Sequence, residues 1–166
     1  MNTMTHMPGS NQYHDLEYVF HTIMKIALVN DKAHFPEYKS DEAAGADLYS
    51  CEYHKIAPGE TVTIGLGFKT EFEPDYVALI CARSGLAIRD GLAPANKVGV
   101  IDSDYRGEWK VALHNHSNEF REVNIGDRIA QMVLIPVIHP SIAEVSEEDL
   151  SNTERGEGGF GHTGNK

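Results

Sequence analysis

Val62-Thr63-Ile64-Gly65-Leu66-Gly67-Phe68-Lys69 alternates large apolar residues with small or polar ones, a period of two that sets Val62, Ile64, Leu66 and Phe68 on one sheet face. Pro58-Gly59 before it and Glu73-Pro74-Asp75 after it are turn signals, so the stretch is expected as one framed strand. The strand pattern continues outward in both directions. Upstream, Met24-Lys25-Ile26-Ala27-Leu28-Val29 reads as the first strand of the folded domain. Downstream, Tyr76 to Cys81 is a short apolar run, and Trp109, Val111 and Leu113 alternate with Lys110, Ala112 and His114. Ile129 to Ile138 is apolar on both faces apart from Gln131 and Pro136, as for a strand between two layers or against another subunit. Helix signals are few: Ser84 to Leu92, with Ser84 near the N-cap and Gly91 at the end, and one turn at Ser146 to Leu150. Many short strands punctuated by Gly and Pro predict an all-β antiparallel sandwich or jelly roll, with no repeat and no second domain.

The length of 166 residues fits one domain, and 41% apolar content is enough to build a core without disulfides. Cys51 and Cys81 therefore impose no secreted framework, and a reducing, cytoplasmic setting is the plainer expectation. With 25 acidic against 14 basic residues the net charge is −11, which argues against non-specific binding of nucleic-acid polymers or anionic membranes. A local basic pocket remains compatible with that field. Residues 1–23 contain no Lys or Arg, so they resemble neither a secretory signal nor a mitochondrial presequence, and no apolar run is long enough to span a bilayer. His6, His14 and His21 match no metal-ligand spacing, and the segment is expected to be a mobile extension outside the fold.

Five short segments between the strands carry the chemistry. Ala43-Ala44-Gly45-Ala46-Asp47-Leu48 joins small residues, which allow close backbone approach, to one carboxylate. Ala82-Arg83-Ser84-Gly85-Leu86 offers an Arg, a hydroxyl and a Gly at a possible helix start, a set suited to phosphate oxygens and equally readable as an N-cap with a surface Arg. In Val98-Gly99-Val100-Ile101-Asp102-Ser103-Asp104-Tyr105-Arg106-Gly107, Asp102 leaves an apolar strand where burial can tune a carboxylate as a base. Ser103 to Gly107 then reads as a hairpin turn into the strand of Trp109, with Tyr105 at its tip. An Asx turn at Asp104 or a metal clamp by Asp102 and Asp104 are the other readings. Gly126-Asp127-Arg128-Ile129-Ala130-Gln131 combines turn residues with a Gln that needs a partner if buried. Arg155-Gly156-Glu157-Gly158-Gly159-Phe160-Gly161-His162-Thr163-Gly164 is too glycine-rich to pack, and its bare amides and Phe160 suit phosphates and a stacked base once ordered.

In this order, from about Met24 to Gly164, the segments resemble the five motifs of the trimeric deoxyuridine triphosphatase family. The resemblance implies a β jelly roll in a homotrimer with active sites at subunit interfaces, hydrolysing dUTP to dUMP and pyrophosphate with Mg²⁺. By this resemblance Asp102 matches the general base that activates water for attack on the α-phosphorus. Asp47 and Gln131 match positions that orient waters on a phosphate-held Mg²⁺. Arg83, Ser84 and Gly85 match the phosphate-holding segment, and Arg155, Gly161 and His162 the closing arm. Asn96 and the main chain of Gly99, Val100 and Ile101 match the uracil-reading loop. Tyr105 matches the tyrosine under the deoxyribose, and Phe160 the aromatic that covers the base. The implied organisation is an extension over residues 1–23, a jelly roll over 24–154 and an arm over 155–166. Ala82 replaces a frequent Pro, His162 a frequent Ser, and Trp109 a commoner aliphatic residue, read as packing. His114-Asn115-His116 lacks a third metal ligand and reads as interface packing. The rival readings are dCTP deaminase or a bifunctional deaminase and triphosphatase, and a regulatory binding protein switched by nucleotide.

Overall fold

The computed structural model describes residues 23–159. Among them the strands are β1 (Lys25–Leu28), β2 (Ala46–Tyr49), β3 (His54–Ile56), β4 (Thr61–Gly65), β5 (Phe68–Glu71), β6 (Tyr76–Cys81), β7 (Leu92–Pro94), β8 (Val98–Ile101), β9 (Lys110–Asn115), β10 (Arg121–Val123) and β11 (Arg128–Pro136). All pairings are antiparallel. Two larger sheets, β2-β11-β6-β8 and β4-β9-β7, are completed by the pairs β1-β5 and β3-β10, giving the expected all-β jelly roll. Its core is closed by Trp109, Phe68, Leu48, Ile56, Ile64, Leu66 and Leu113, each fully buried.

The opening stretch is two strands, not one. β4 pairs with β9 whereas β5 pairs with β1, and the change of sheet falls at Gly67, whose φ is +72°. A Cβ there would lie 2.6 Å from Ala33 Cβ and 2.9 Å from Asn30 Cβ, so the chain crosses where only glycine fits. The apolar alternation survives the break, because the Leu66 amide bonds to the Trp109 carbonyl and the Trp109 amide to the Phe68 carbonyl. Ile64, Leu66 and Phe68 all face inward despite belonging to different sheets.

The expected hairpin over Ser103 to Gly107 is also corrected. β8 pairs with β6 and β9 with β4 and β7, so this segment is a crossover between sheets. Trp109 anchors the entry to β9, with its ring against Phe68 at 5.3 Å between centroids and its amide on the Phe68 carbonyl. Three expectations hold with adjustments. The Tyr76–Cys81 strand is as read; β11 starts at Arg128 and ends at Pro136; Ser146 starts a single helical turn at Glu147–Asp149. The segment after β6 winds as a short π-helix, Leu86–Asp90, closed by Gly91 at φ +69°. Ser84 and Gly85 are already helical ahead of it, so Ser84 lies near the helix start as read, but no side-chain hydrogen bond caps it.

Candidate active site

Strand register assembles the first, second and fourth segments. Asp47 on β2 lies opposite Gln131 on β11, which in turn lies opposite Cys81 at the end of β6, so the three sit at one level across the sheet. Asp47 is 8% exposed, and its two oxygens accept from Arg83 Nε at 2.7 Å and Arg128 Nη1 at 3.0 Å. Arg83 Nη1 also donates to the Arg128 carbonyl at 3.1 Å. One carboxylate thus fixes two guanidinium groups beside each other, which like charge would otherwise separate. Gln131 is half-buried and donates from Nε2 to the Ala82 carbonyl at 2.9 Å, which supplies the partner its burial requires. Its Oε1 faces Gly45, where an added Cβ would come within 2.7 Å. Gly45 of the first segment therefore leaves the space that Gln131 fills.

Beside this cluster lies a cleft of about 440 Å³ lined by Arg83, Arg89, Arg121 and Arg128 together with the carboxylates Asp90, Glu122 and Asp127. The chain is acidic overall, yet this cleft is locally rich in guanidinium groups, as phosphate recognition requires. Sequence reading gave Arg128 no role. Its signal was present in Gly126-Asp127-Arg128, where turn chemistry accounts for Gly126 at φ +84° and for Asp127, whose Oδ2 accepts the Asn124 amide at 2.7 Å, but not for the Arg.

The third segment occupies the edge of the same sheet. Asn96 is exposed and precedes a tight turn in which Lys97 adopts φ +67° and the Val98 amide bonds to the Asn96 carbonyl at 2.8 Å. Gly99 lies against Ile80, where a Cβ would fall 3.1 Å from the Ile80 Cβ. Asp102 follows the end of β8 and is exposed in the single chain, contrary to the expected tuning by burial, because edge strand β8 has no neighbour on its outer side. The turn after it is closed by the Tyr105 amide on the Asp102 carbonyl at 3.1 Å. Among the described residues no group of three or more metal-binding side chains occurs, at Asp102 and Asp104 or elsewhere. Tyr105 folds back so closely over Gly107 that a Cβ at 107 would lie 2.2 Å from its hydroxyl oxygen. That hydroxyl reaches the Glu108 carbonyl at 3.3 Å. Val100, Ile101, Asp102, Tyr105, Glu108 and Lys110 line a cleft of about 200 Å³. On its other side Asp102 borders a second cleft that also holds His139, a residue not singled out from sequence.

Within one chain these two groups of residues do not meet. Val98 pairs with Cys81 and Ile101 with Ala78, so Asp102 leaves one end of the β6-β8 ladder and Arg83 the other. About six residue steps separate them along the strands, on the order of 20 Å. Arg155 bonds within its own turn, Nε to the Gly158 carbonyl at 2.7 Å. Phe160, Gly161 and His162 lie outside the described residues, as do residues 1–22.

The jelly roll thus carries a carboxylate-fixed arginine pair at one end of its sheet and an acid-and-tyrosine cleft at the other, an arrangement suited to a phosphorylated ligand. Comparison with known proteins narrows it: the dUTPase family model matches residues 31–164, and the chain belongs to the dUTPase family. It is 52% identical over 141 residues to the deoxyuridine 5'-triphosphate nucleotidohydrolase of Nautilia profundicola, covering 85% of this chain and 98% of that one. It is 45% identical to the enzyme of the same name from Yarrowia lipolytica, over 85% and 88% of the two chains. Among solved structures, the dUTPase of Staphylococcus bacteriophage 80alpha, a mutant with dUpNHpp, superposes with a TM-score of 0.78 at 27% identity over 86% and 98% of the chains. No helix among the described residues is long and apolar enough to cross a membrane.

Proposed function

We propose that this chain hydrolyses dUTP to dUMP and pyrophosphate, as a homotrimer of the cytoplasm whose sites are shared between subunits. The observation that carries the reading is the separation of Asp102 from the arginine cleft along the β6-β8 ladder. The cleft that Asp102 shares with Tyr105, about 200 Å³, has the size for a base and sugar, and on its other side Asp102 borders a larger cleft of about 560 Å³. The arginine cleft suits phosphates. A whole nucleotide is bound when the nucleoside half of one copy meets the phosphate half of its neighbour. The uncovered apolar residues of β8, Val98 and Val100, and the exposed Ile138 and Ile142 beyond β11 supply surface for that association.

Asp102 takes the proton of the attacking water, and the positioned arginines take up charge as the bond between the α-phosphorus and the leaving pyrophosphate breaks. Asn96 and the backbone of Gly99, Val100 and Ile101 read the uracil edge. Tyr105 packs beneath the deoxyribose and leaves no room for a 2′-hydroxyl. Arg155, Phe160, Gly161 and His162 close over the bound nucleotide and exclude water. The donor set fits a hydrated Mg²⁺. Asp47 keeps lone pairs beyond its two arginine contacts, and Gln131 keeps Oε1, so both can orient waters without binding the ion directly. When bound, Mg²⁺ neutralises the phosphates and aligns them for in-line displacement.

Pyrophosphate release from dUTP, dCTP, dTTP and UTP, measured in parallel with and without Mg²⁺, tests this reading. Turnover confined to dUTP and dependent on Mg²⁺ supports it. Ammonia release from dCTP replaces it with the deaminase reading.

A further inference from the structure

The crossover from Ser103 to Gly107 carries Tyr105 and follows directly on Asp102, yet it belongs to neither sheet ladder. Its shape is held by Arg106. The Nη1 group donates to the Ser103 carbonyl at 2.7 Å and makes longer contacts, 3.4 Å each, to the carbonyls of Tyr105 and Thr70. The first two carbonyls lie in the loop and the third lies on β5. One guanidinium group therefore ties the loop to itself and to a strand of another sheet. Its Nη2 lies 3.7 Å from Glu71 Oε2, and the other Glu71 oxygen, Oε1, accepts from Lys25 on β1. The hydrogen bond from Lys25 holds the Glu71 carboxyl below the usual carboxylate range, so it is ionised at neutral pH and faces Arg106 as an anion.

We propose that Arg106 is a positioning residue that sets the placement of Asp102 and Tyr105. The inference rests on the reading of Asp102 as the base and of Tyr105 as the platform for the sugar. A solvated surface cation is the competing account, since the Arg106 side chain is 54% exposed and exposed ion pairs contribute little to stability. A solvated cation does not converge on two backbone carbonyls of one short loop and a third on a strand of another sheet. The planar fork has donors enough for several carbonyls at once, whereas an ammonium in its place is a compact point charge on a flexible stem.

The test compares Arg106→Gln and Arg106→Lys with the unaltered chain. It reads kcat and KM for dUTP, the preference for dUTP over UTP, thermal unfolding, oligomeric state, and amide hydrogen exchange across residues 102–107. In both variants kcat should fall about 10- to 100-fold, the scale of a displacement near 1 Å at the reacting atoms. Preference for dUTP should fall with it, and exchange should rise in the loop alone while assembly and unfolding stay unchanged. Unaltered kcat and dUTP preference in Arg106→Gln would overturn the proposal. So would full rescue by Lys, which would reduce the role to charge, or an activity loss matched by loss of folded protein. Asp102→Asn is run beside them. Normal turnover in that variant removes the base assignment, and Arg106 is then judged on loop exchange and the dUTP to UTP ratio, which do not depend on that base.

Discussion

Gly107 shows how one missing Cβ shapes a site. Tyr105 occupies the space a side chain at 107 would need, with its hydroxyl oxygen 2.2 Å from that Cβ position. Because Tyr105 is 43% exposed, Gly107→Ala should push the ring outward at little cost to the fold. Competition assays should then show a relaxed preference for dUTP over UTP, with an unfolding midpoint close to that of the unaltered chain. Asp102→Asn addresses the chemistry. It keeps the shape of the side chain but cannot accept the water's proton, so turnover should drop by about 10²- to 10⁴-fold, the usual contribution of general-base catalysis. Calorimetry should find nucleotide binding largely retained. At this scale the sequence showed which residue types mattered but not their company. Asp47 was legible as a lone carboxylate; that it fixes both Arg83 and Arg128 depends on register between strands distant in the chain.

Individual elements were legible where period and punctuation agreed, as for β6 and for the turn at Ser146. They misled where alternation ran on through a change of sheet. Leu66 and Phe68 keep the inward phase of Ile64, so local pattern carries no trace of the break, and only the crowding of Gly67 by Asn30 and Ala33 explains it. The joint between β9 and β3 is held differently. Asn115 is fully buried at the end of β9, where Nδ2 donates to the Ile56 carbonyl at 3.0 Å and the Glu119 carbonyl at 2.8 Å. Its Oδ1 accepts from the Ser117 amide and hydroxyl. Asn115→Ala strands these buried groups and should destabilise the domain by about 2 to 4 kcal/mol, read from the denaturation midpoint at unchanged slope. That residue stood in the sequence between two histidines and was passed over in favour of them. His114 instead bonds to Thr61 Oγ1 and packs edge-on against His116, with no metal-binding trio among the described residues.

For the whole molecule, acidic composition coexists with a cleft where four arginines gather, two of them fixed by Asp47, because charges at close range are screened less than a diffuse field. Removing Arg155 to Lys166 should leave assembly unaltered by gel filtration, because none of the described residues of that span, 155–159, belongs to the core, and should abolish efficient dUTP turnover. Full activity in the truncated chain would show that closure by the arm is dispensable. The jelly roll was legible from strand density and punctuation, whereas the division of the site was not, because it follows from which ends of β6 and β8 carry Arg83 and Asp102. That division has a genetic consequence. A chain disabled at Arg83 and another disabled at Asp102 are each inactive alone, yet when mixed and reassembled they can place an intact cleft of one against an intact cleft of the other. Two such defective alleles should complement in one cell, and two alleles damaged in the same cleft should not.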